Sequence, residues 1–256
     1  MLLPRIIPCL LFDENEDMVK TINFKHGSRR YIGDIENAVK IFSEKKADEL
    51  IVIDIDASKK KEINYELIEK LVANCKMPLA YGGGIKNLEQ AKKVFSLGVE
   101  KIILSSVIFE NIYLINDISK YFGSQSVAVC LDIKINSRYL KLYSKNGTNE
   151  HKEIDFQSIL NKIQELGAGE LIINSVDRDG AMKGYDLEIL KFFFHNLKIP
   201  LTLLGGAGHI DHFIDALKKF PISGLAAGSF FIYKGKNKAV LLNYPDIKKI
   251  LRKRNN

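Results

Sequence analysis

Two glycine-rich segments of this chain have the composition of anion-binding loops. The stretches "GGGIKNLEQA" and "GGAGHIDHFIDA" each follow a short apolar run and open a segment with helical periodicity. Glycine lets the backbone approach an anion with its N–H groups pointing inward, and the following helix N-terminus adds partial positive charge. Small-residue turns, "LSS" and "AAGS", follow one predicted strand later, and "DRDG" precedes the second loop. These patterns predict a set of phosphate-binding residues: Gly83, Gly84, Ser105, Ser106, Asp179, Gly180, Gly205, Gly206, Gly228 and Ser229.

The structural alternative is that each segment is only a tight turn between a strand and a helix. Two copies, each paired with a small-residue turn one strand later, favour phosphate binding over that alternative. We therefore expect a substrate with two phosphates or two equivalent anionic ends.

Short apolar runs rich in β-branched residues alternate with amphipathic segments throughout the chain. The predicted strands are Ile6–Leu10, Leu50–Ile55, Leu79–Tyr81, Lys101–Leu104, Val127–Leu131, Leu171–Asn174, Leu201–Leu204 and Gly224–Ala227. Helical patterns such as "DIENAVKIFSEKK" and "DLEILKFFFHNL" lie between them. This alternation predicts an α/β fold, a closed parallel (β/α)8 TIM barrel. An open doubly wound sheet is the alternative, but no GxGxxG turn follows the first strand.

An internal repeat supports the barrel. "ADELIVIDIDAS" at 47–58 is similar to "AGELIINSVDRDG" at 168–180, and the segment at 77–109 is similar to that at 199–231. Two blocks in the same order at nearly the same offset predict one domain over 1–256, with half-barrels of about 1–120 and 121–240.

Composition places the chain in a broad class. The net charge of +7 comes largely from "SKKKE" and from a basic tail within 241–256, which we interpret as solvated lysines rather than a nucleic-acid site. A positive field could also attract a phosphorylated substrate. Cys9, Cys75 and Cys130 are expected to be free thiols, and no spacing indicates a metal site or a cofactor. Without a signal-peptide pattern or a long apolar run, we expect a cytoplasmic protein that contacts neither nucleic acid nor membrane.

Several motifs together resemble one family from about residue 3 to residue 233. The motifs "RIIPCL", "DIDAS", "YGGGI", "FGSQSVAVCLDIK", "GAGELIINSVDRDGAMKGYD" and "LGGAG" are similar to those of the HisF family, the cyclase subunit of imidazole glycerol phosphate synthase in histidine biosynthesis. The resemblance implies a lyase-type barrel that takes ammonia from a glutaminase (HisH-like) subunit docked at its bottom face. Ammonia would then attack a doubly phosphorylated ribulosyl-aminoimidazole carboxamide, giving imidazole glycerol phosphate and AICAR.

The resemblance also implies catalytic residues. Asp132 in "CLDIK" matches one family carboxylate, the expected general acid, and Lys20 matches a substrate-contacting lysine in the loop after the first strand. Asp54 matches a polar position at the end of the second strand. The second catalytic carboxylate, the expected general base, is replaced by Leu11. Asp13 is a candidate substitute for this carboxylate, but a strand would place it about 6–7 Å along the chain from the Leu11 position.

At the opposite ends of the strands the family carries a charged gate for ammonia. The matching residues, Arg5, Glu49, Lys101 and Glu170, alternate in sign. Solvated charges at the starts of strands are the structural alternative for these four residues.

A second departure is the C-terminal "KNKAVLLNYPDIKKILRKRNN", which resembles a HisF-like subgroup associated with surface-polysaccharide (acetamidino sugar) biosynthesis. That likeness implies an ammonia-conducting subunit for an N-acetyl-sugar amidotransferase, without true cyclase activity. The readings left open are therefore an active cyclase, this ammonia-conducting subunit, a glutaminase-activating scaffold without catalysis, and a related phosphoribosyl isomerase.

Overall fold

The protein is described here by a computed structural model that covers residues 4–23, 28–60, 62–136, 139–145, 147–192 and 196–247. Its strands are β1 (Arg5–Phe12), β2 (Asp17–Lys20), β3 (Arg30–Asp34), β4 (Leu50–Asp54), β5 (Leu79–Gly82), β6 (Lys101–Leu104), β7 (Val127–Asn136), β8 (Tyr139–Ser144), β9 (Asn149–Glu150), β10 (Glu170–Ser175), β11 (Leu201–Leu204), β12 (Gly224–Ala227), β13 (Tyr233–Lys234) and β14 (Ala239–Val240). Its α-helices are α1 (Ile35–Glu44), α2 (Ala57–Lys60), α3 (Tyr65–Ala73), α4 (Leu88–Ser96), α5 (Leu114–Phe122), α6 (Phe156–Glu165), α7 (Ile210–Lys219) and α8 (Ser229–Ile232).

Eight of these strands close into a parallel barrel. Pairing runs from β1 through β4, β5, β6 and β7, then through β10, β11 and β12 back to β1. The helices between successive barrel strands cover the outside, as in a (β/α)8 barrel. The predicted TIM barrel is confirmed, and the open doubly wound sheet is excluded because β12 pairs with β1.

Alternation along each strand separates two apolar layers. On β1, Ile7, Cys9 and Leu11 belong to the barrel interior, whereas Leu10 and Phe12 belong to the layer between strands and helices. This is the period of two that a strand imposes on its side chains. Position along a strand therefore decides which residues can meet inside the barrel.

The surrounding elements differ in part from the prediction. An antiparallel hairpin of β2 and β3 follows β1, and β8 and β9 extend from β7. The segment "DLEILKFFFHNL" forms a 3-10 helix over Leu187–Phe192 instead of the expected α-helix, a conformation that is common in short connecting segments. Residues 193–195 of that segment, and residues 248–256 of the predicted basic tail, lie outside the described residues.

Within the described ranges, no helix combines the length and apolar character needed to cross a bilayer. All three cysteines are free thiols; Cys9 and Cys130 are buried and Cys75 is half-buried.

Candidate active site

Four charged side chains form a closed ring of ion pairs at the amino-terminal end of the barrel strands. Arg5 is hydrogen-bonded to Glu49, and its second guanidinium nitrogen lies 2.7 Å from Glu170 Oε1. Lys101 Nζ lies 2.7 Å from Glu49 Oε1 and 2.7 Å from Glu170 Oε2. Each carboxylate thus contacts both cations. We call Arg5, Glu49, Lys101 and Glu170 the ion-pair ring.

The ring is substantially removed from water. The side chains of Glu49 and Glu170 are 5% and 6% exposed, and that of Lys101 is 15% exposed. Burial alone would raise the pKa of Glu170, but the charge of Lys101 and the hydrogen bond from Arg5 outweigh it and lower this pKa. The buried hydroxyl of Thr202 also donates to Glu170. These contacts keep Glu170 ionised in a site where a lone carboxylate would tend to be neutral.

Beyond the ring the barrel interior is apolar. Its side chains come from Ile7, Cys9, Leu11, Val19, Ile51, Ala80, Ile103, Ala128, Cys130, Ile172 and Ala226. Burial raises the pKa of the Cys9 thiol to about 12 and that of Cys130 well above its usual value, so both are neutral. The interior between the ring and the opposite end therefore favours neutral molecules over ions.

Asp132 lies on the inner face of β7, near the point where the pairing of β7 with β10 ends. Its neighbour on β10 is Asn174, whose Nδ2 donates to Asp132 Oδ1 at 2.9 Å. Burial, with a smaller contribution from the Asp179 carboxylate, raises the pKa of Asp132 to about 7 although the Asn174 hydrogen bond opposes the shift. A carboxyl group with this pKa can both hold and release a proton near neutral pH.

Asp179 lies close enough to this carboxyl group to affect its charge, and Lys20 lies close to Asp179. Lys20 is only 5% exposed, and a Cβ added to Gly228 would lie 2.5 Å from its Nζ. Burial raises the pKa of Asp179, while the charge of Lys20 moderates the shift. The structure therefore brings together the lysine at the end of β2, an aspartate from the loop after β10 and the glycine that follows β12.

Several buried polar atoms at this end have no hydrogen-bond partner among the described residues. They are Thr21 Oγ1, Asn174 Oδ1, Ser175 Oγ and Asp179 Oδ2. Unpartnered buried groups are rare in folded proteins and carry a free-energy cost. Asn174 Oδ1 and Asp179 Oδ2 belong to the same group of side chains as Asp132, which makes this group a candidate site for a polar ligand.

Leu11 occupies the inner face of β1, on the side of the barrel across from β7. It is 8% exposed, pairs across the hairpin with Val19, and belongs with Val19 to the interior apolar cluster. The wall facing Asp132 is thus apolar where the family resemblance predicted a carboxylate.

Asp13 is not oriented as a substitute for that carboxylate. Its Oδ1 accepts the N–H groups of Asn15 and Asp17 at 3.0 and 3.3 Å, so it stabilises the β1–β2 turn. Its Oδ2 lies 3.6 Å from Arg29, which also forms a bidentate ion pair with Asp56 at 3.0 and 2.9 Å. The chain leaves the strand geometry after Phe12, and the turn directs Asp13 to these partners.

A cavity of about 450 Å³ lies beside the hairpin, lined among others by Phe12, Asp13, Asp54 and Tyr65. Burial raises the pKa of Asp54 to about 6, although the N–H groups of Asp56 and Ala57 donate to its Oδ1 and oppose the shift. Asp54 therefore caps the start of α2 from a largely buried position.

The first glycine loop packs against this aspartate. Gly83 has φ +125°, and a Cβ there would lie 2.5 Å from the Asp54 carbonyl oxygen. The Ser106 hydroxyl accepts the Lys145 N–H at 3.1 Å, while Ser105 is half-buried. Close packing by itself requires glycine at 83, so phosphate binding by this loop stays a prediction.

The second glycine loop is also held by backbone packing. Gly206 accepts the Gly184 N–H at 2.8 Å, and its φ of +109° is one that side chains rarely adopt. Gly180 touches the Thr21 backbone, and Ser229 begins α8 in a buried position. This loop differs from the first glycine loop in one respect: the buried amino group of Lys20 lies against Gly228, at the end of the barrel where the strands end.

Sequence reasoning missed Asn174, Thr202 and Arg29. Asn174 and Thr202 could have been suspected as polar residues within apolar strands, at positions that alternate with outward-facing ones. Arg29 had no local signal, because its partners Asp13 and Asp56 come from two other segments.

A closed (β/α)8 barrel with titratable groups at the carboxyl ends of its strands defines an enzyme-type TIM barrel. The chain belongs to the family described as "Histidine biosynthesis protein", whose pattern matches residues 5–238. It is 54% identical over 249 residues to the "Putative imidazole glycerol phosphate synthase subunit HisF" of Leptospira borgpetersenii, covering 96% of each chain. It is 48% identical to a protein of Vibrio vulnificus with the same description and the designation hisF3, covering 96% of this chain and 94% of that one. It is 34% identical to the "Imidazole glycerol phosphate synthase subunit HisF" of Pyrobaculum aerophilum, covering 88% and 89%.

Proposed function

We propose that this chain is the cyclase-type subunit of a glutamine amidotransferase of the imidazole glycerol phosphate synthase type. A glutaminase subunit docks on the face that carries the ion-pair ring, and ammonia passes through the ring and the apolar interior. At the mouth it reacts with a doubly phosphorylated ribulosyl-aminoimidazole carboxamide held between the two glycine loops. The ion-pair ring carries this proposal, because four alternating charges that close the far end of a barrel can control passage but cannot take part in chemistry at the mouth.

The interior is suited to ammonia. A neutral ammonia molecule crosses an apolar lining at modest cost, whereas an ammonium ion would have to shed its hydration without a compensating charge. The apolar side chains that exclude ions also disfavour water, so a nucleophile that arrives by this route is protected from protonation.

The mouth supplies a proton donor and an anion site. Asp132, with a pKa of about 7, is protonated in a large fraction of molecules at neutral pH and can act as general acid. Lys20 against Gly228 provides positive charge next to a backbone without a side chain, which suits a phosphate group.

The test compares two sources of ammonia. The purified chain is assayed with ammonium salt alone, and in complex with its glutaminase with glutamine. Lys101→Met is expected to reduce the glutamine-driven rate much more than the ammonia-driven rate, since external ammonia can enter at the mouth. Equal losses in the two assays would contradict passage through the ring.

A second candidate function is ammonia conduction without cyclisation, in which ammonia serves an N-acetyl-sugar amidotransferase. Two observations favour it: Leu11 and Val19 form an apolar wall, and Asp13 is held in the turn.

The variant Leu11→Asp separates the two candidate functions. The matched control is Leu11→Asn, because asparagine has nearly the same shape as aspartate but cannot act as a general base. If the general base is the only missing group, Leu11→Asp raises the ammonia-driven cyclisation by about 10²–10⁴-fold and Leu11→Asn does not. Wild-type turnover that Asp132→Asn abolishes supports the cyclase. No wild-type turnover, with glutaminase stimulation that depends on Lys101, supports conduction. Stimulation that survives loss of the ring, with no ammonia transferred, leaves only the glutaminase-activating scaffold.

A further inference from the structure

The segment that follows β14 packs back against the outer wall of the barrel. The N–H of Leu241 donates to the Ile232 carbonyl at 2.8 Å, and the N–H of Asn243 donates to the Phe231 carbonyl at 2.9 Å. The Tyr244 ring then stacks on the buried Phe231 ring, with centroids 5.6 Å apart and planes inclined by 21°. These contacts bring the Tyr244 hydroxyl to the base of β1 and β4.

The Tyr244 hydroxyl connects β1 to Asp48, which lies two residues before β4 begins. It donates to the Ile6 carbonyl oxygen at 2.9 Å and lies 3.2 Å from the Asp48 N–H, which donates to it. The Asp48 carboxylate in turn accepts the Ile6 N–H at 2.8 Å. Both backbone groups of Ile6 are therefore satisfied by Tyr244 and Asp48.

These hydrogen bonds stand where regular strand pairing is missing. The register between β1 and β4 begins only at Cys9 and Ile51. The N–H of Arg5 bonds to Ser223 on the other neighbouring side, so the Ile6 N–H and C=O face β4. Tyr244 and Asp48 replace the missing part of the ladder at the bottom of the barrel.

The same junction carries one side of the ion-pair ring. Arg5 precedes Ile6 and Glu49 follows Asp48, and their side chains meet on the inner face while Tyr244 bonds the backbone behind them. Hydrogen bonds that connect the backbone at Ile6 and Asp48 also set the distance between the neighbouring residues, Arg5 and Glu49. The spacing of Arg5 and Glu49 thus depends on a hydroxyl from the C-terminal segment.

We propose that Tyr244 is a positioning residue of the ion-pair ring: its hydroxyl fixes the β1–β4 junction so that Arg5 remains opposite Glu49. Tyr244 acts on the ring through the backbone of Ile6 and Asp48. Its consequence for ammonia transfer rests on the function proposed above, whereas its effect on the ring does not.

Hydrogen exchange of the Lys101 ammonium and Arg5 guanidinium groups, measured by NMR on the whole chain, tests the proposal directly. Lys101 contacts both carboxylates of the ring, so its protons report whether the ring is closed. Tyr244→Phe removes only the hydroxyl and keeps the stacked ring. We expect exchange to become about 5–30-fold faster, since two hydrogen bonds are lost at the junction.

Tyr185→Phe is the matched control, because the Tyr185 hydroxyl is also buried and donates to a strand carbonyl, that of Ala226, at 3.0 Å. Exchange at Lys101 should stay at the wild-type rate in this variant. Unchanged exchange in Tyr244→Phe, or an equal rise in both variants, would overturn the proposal. If Tyr244→Phe fails to fold, Asp48→Ala opens the same junction from the other strand, and wild-type exchange in that variant would overturn it instead.

The functional consequence is measured separately, as product formed per glutamate released in the complex with glutaminase. Tyr244→Phe should lower this ratio, while Tyr185→Phe leaves it unchanged. If the wild-type chain does not couple to a glutaminase, the proposed function fails, and the exchange experiment still decides the role of Tyr244. If coupling is present and Tyr244→Phe retains the wild-type ratio, the positioning role does not extend to ammonia transfer.

Discussion

Removal of Lys101 is predicted to destabilise the protein by an amount that only a closed ring explains. Lys101 Nζ lies 2.7 Å from one oxygen of each carboxylate, and those carboxylates are 5% and 6% exposed. At an effective dielectric constant of about 20, each contact corresponds to about 6 kcal/mol of gross Coulomb attraction. Most of this is offset by the desolvation of the charges. Lys101→Met leaves Glu49 and Glu170 with Arg5 alone, so we expect a net loss of about 3–5 kcal/mol, as for other broken buried ion pairs.

A double-mutant cycle separates the ring from a sum of independent pairs. Glu170→Gln alone leaves two cations for one carboxylate, whereas Lys101→Met with Glu170→Gln leaves a neutral Arg5–Glu49 pair. The double variant should therefore cost less than the sum of the single variants, with a coupling free energy of about 2–3 kcal/mol. Equilibrium urea unfolding followed by circular dichroism measures each free energy of unfolding.

The control is Lys92→Met, which removes an ion pair to Glu89 of nearly the same length, 2.8 Å, at the surface. No measurable change is expected there, because water screens an exposed pair. A loss below about 1 kcal/mol for Lys101→Met, or additive costs around the cycle, would refute the argument that the ring is one coupled unit.

Three further predictions concern the mouth and the hairpin. Burial raises the pKa of Asp132 from 3.8 to about 7, so the wild-type protein should lose stability relative to Asp132→Asn as the pH rises through this window. The difference in the free energy of unfolding should be near zero at pH 4 and reach at most about 4 kcal/mol above pH 7. Urea unfolding at both pH values measures it, and a difference that does not depend on pH would contradict the prediction. Arg29→Ala removes the bidentate ion pair that lowers the pKa of Asp56, so it should reduce the free energy of unfolding by about 1–3 kcal/mol. It should also accelerate limited proteolysis within the β2–β3 hairpin, and Arg29→Lys should have a smaller effect. Unaltered cleavage in Arg29→Ala would show that Arg29 does not anchor the hairpin. Gly228→Ala places a methyl group 2.5 Å from the present position of Lys20 Nζ, so it should weaken the binding of inorganic phosphate at least tenfold. Calorimetry measures this affinity, and an affinity equal to that of the wild type would exclude a phosphate site beside Gly228.

The sequence was sufficient to predict the barrel. Strand length, the alternation of strands with helices and the internal repeat can all be read from the sequence without knowledge of tertiary contacts. The glycine at 83 was also predictable, because a tight turn with positive φ is a local requirement. The residues of the ion-pair ring were predicted individually from the family resemblance.

The tertiary structure alone decided which of these residues meet. Closure of the ring depends on strands far apart in the chain that arrive at the same level of the barrel, which no local pattern encodes. Asp13 illustrates the same limit: strand alternation would place it on the same side as Leu11, but the turn to β2 and the guanidinium of Arg29 hold it elsewhere.

At Leu11 the two sources combine. The sequence by itself determined that a leucine stands where the family carries a carboxylate. The structure determined that Val19, brought back by the β1–β2 hairpin, completes an apolar wall around it, and that Asn174 rather than a second carboxylate pairs with Asp132. Residue identity is fixed by the chain, but the environment that sets each group's charge and partners exists only once distant strands have closed the barrel.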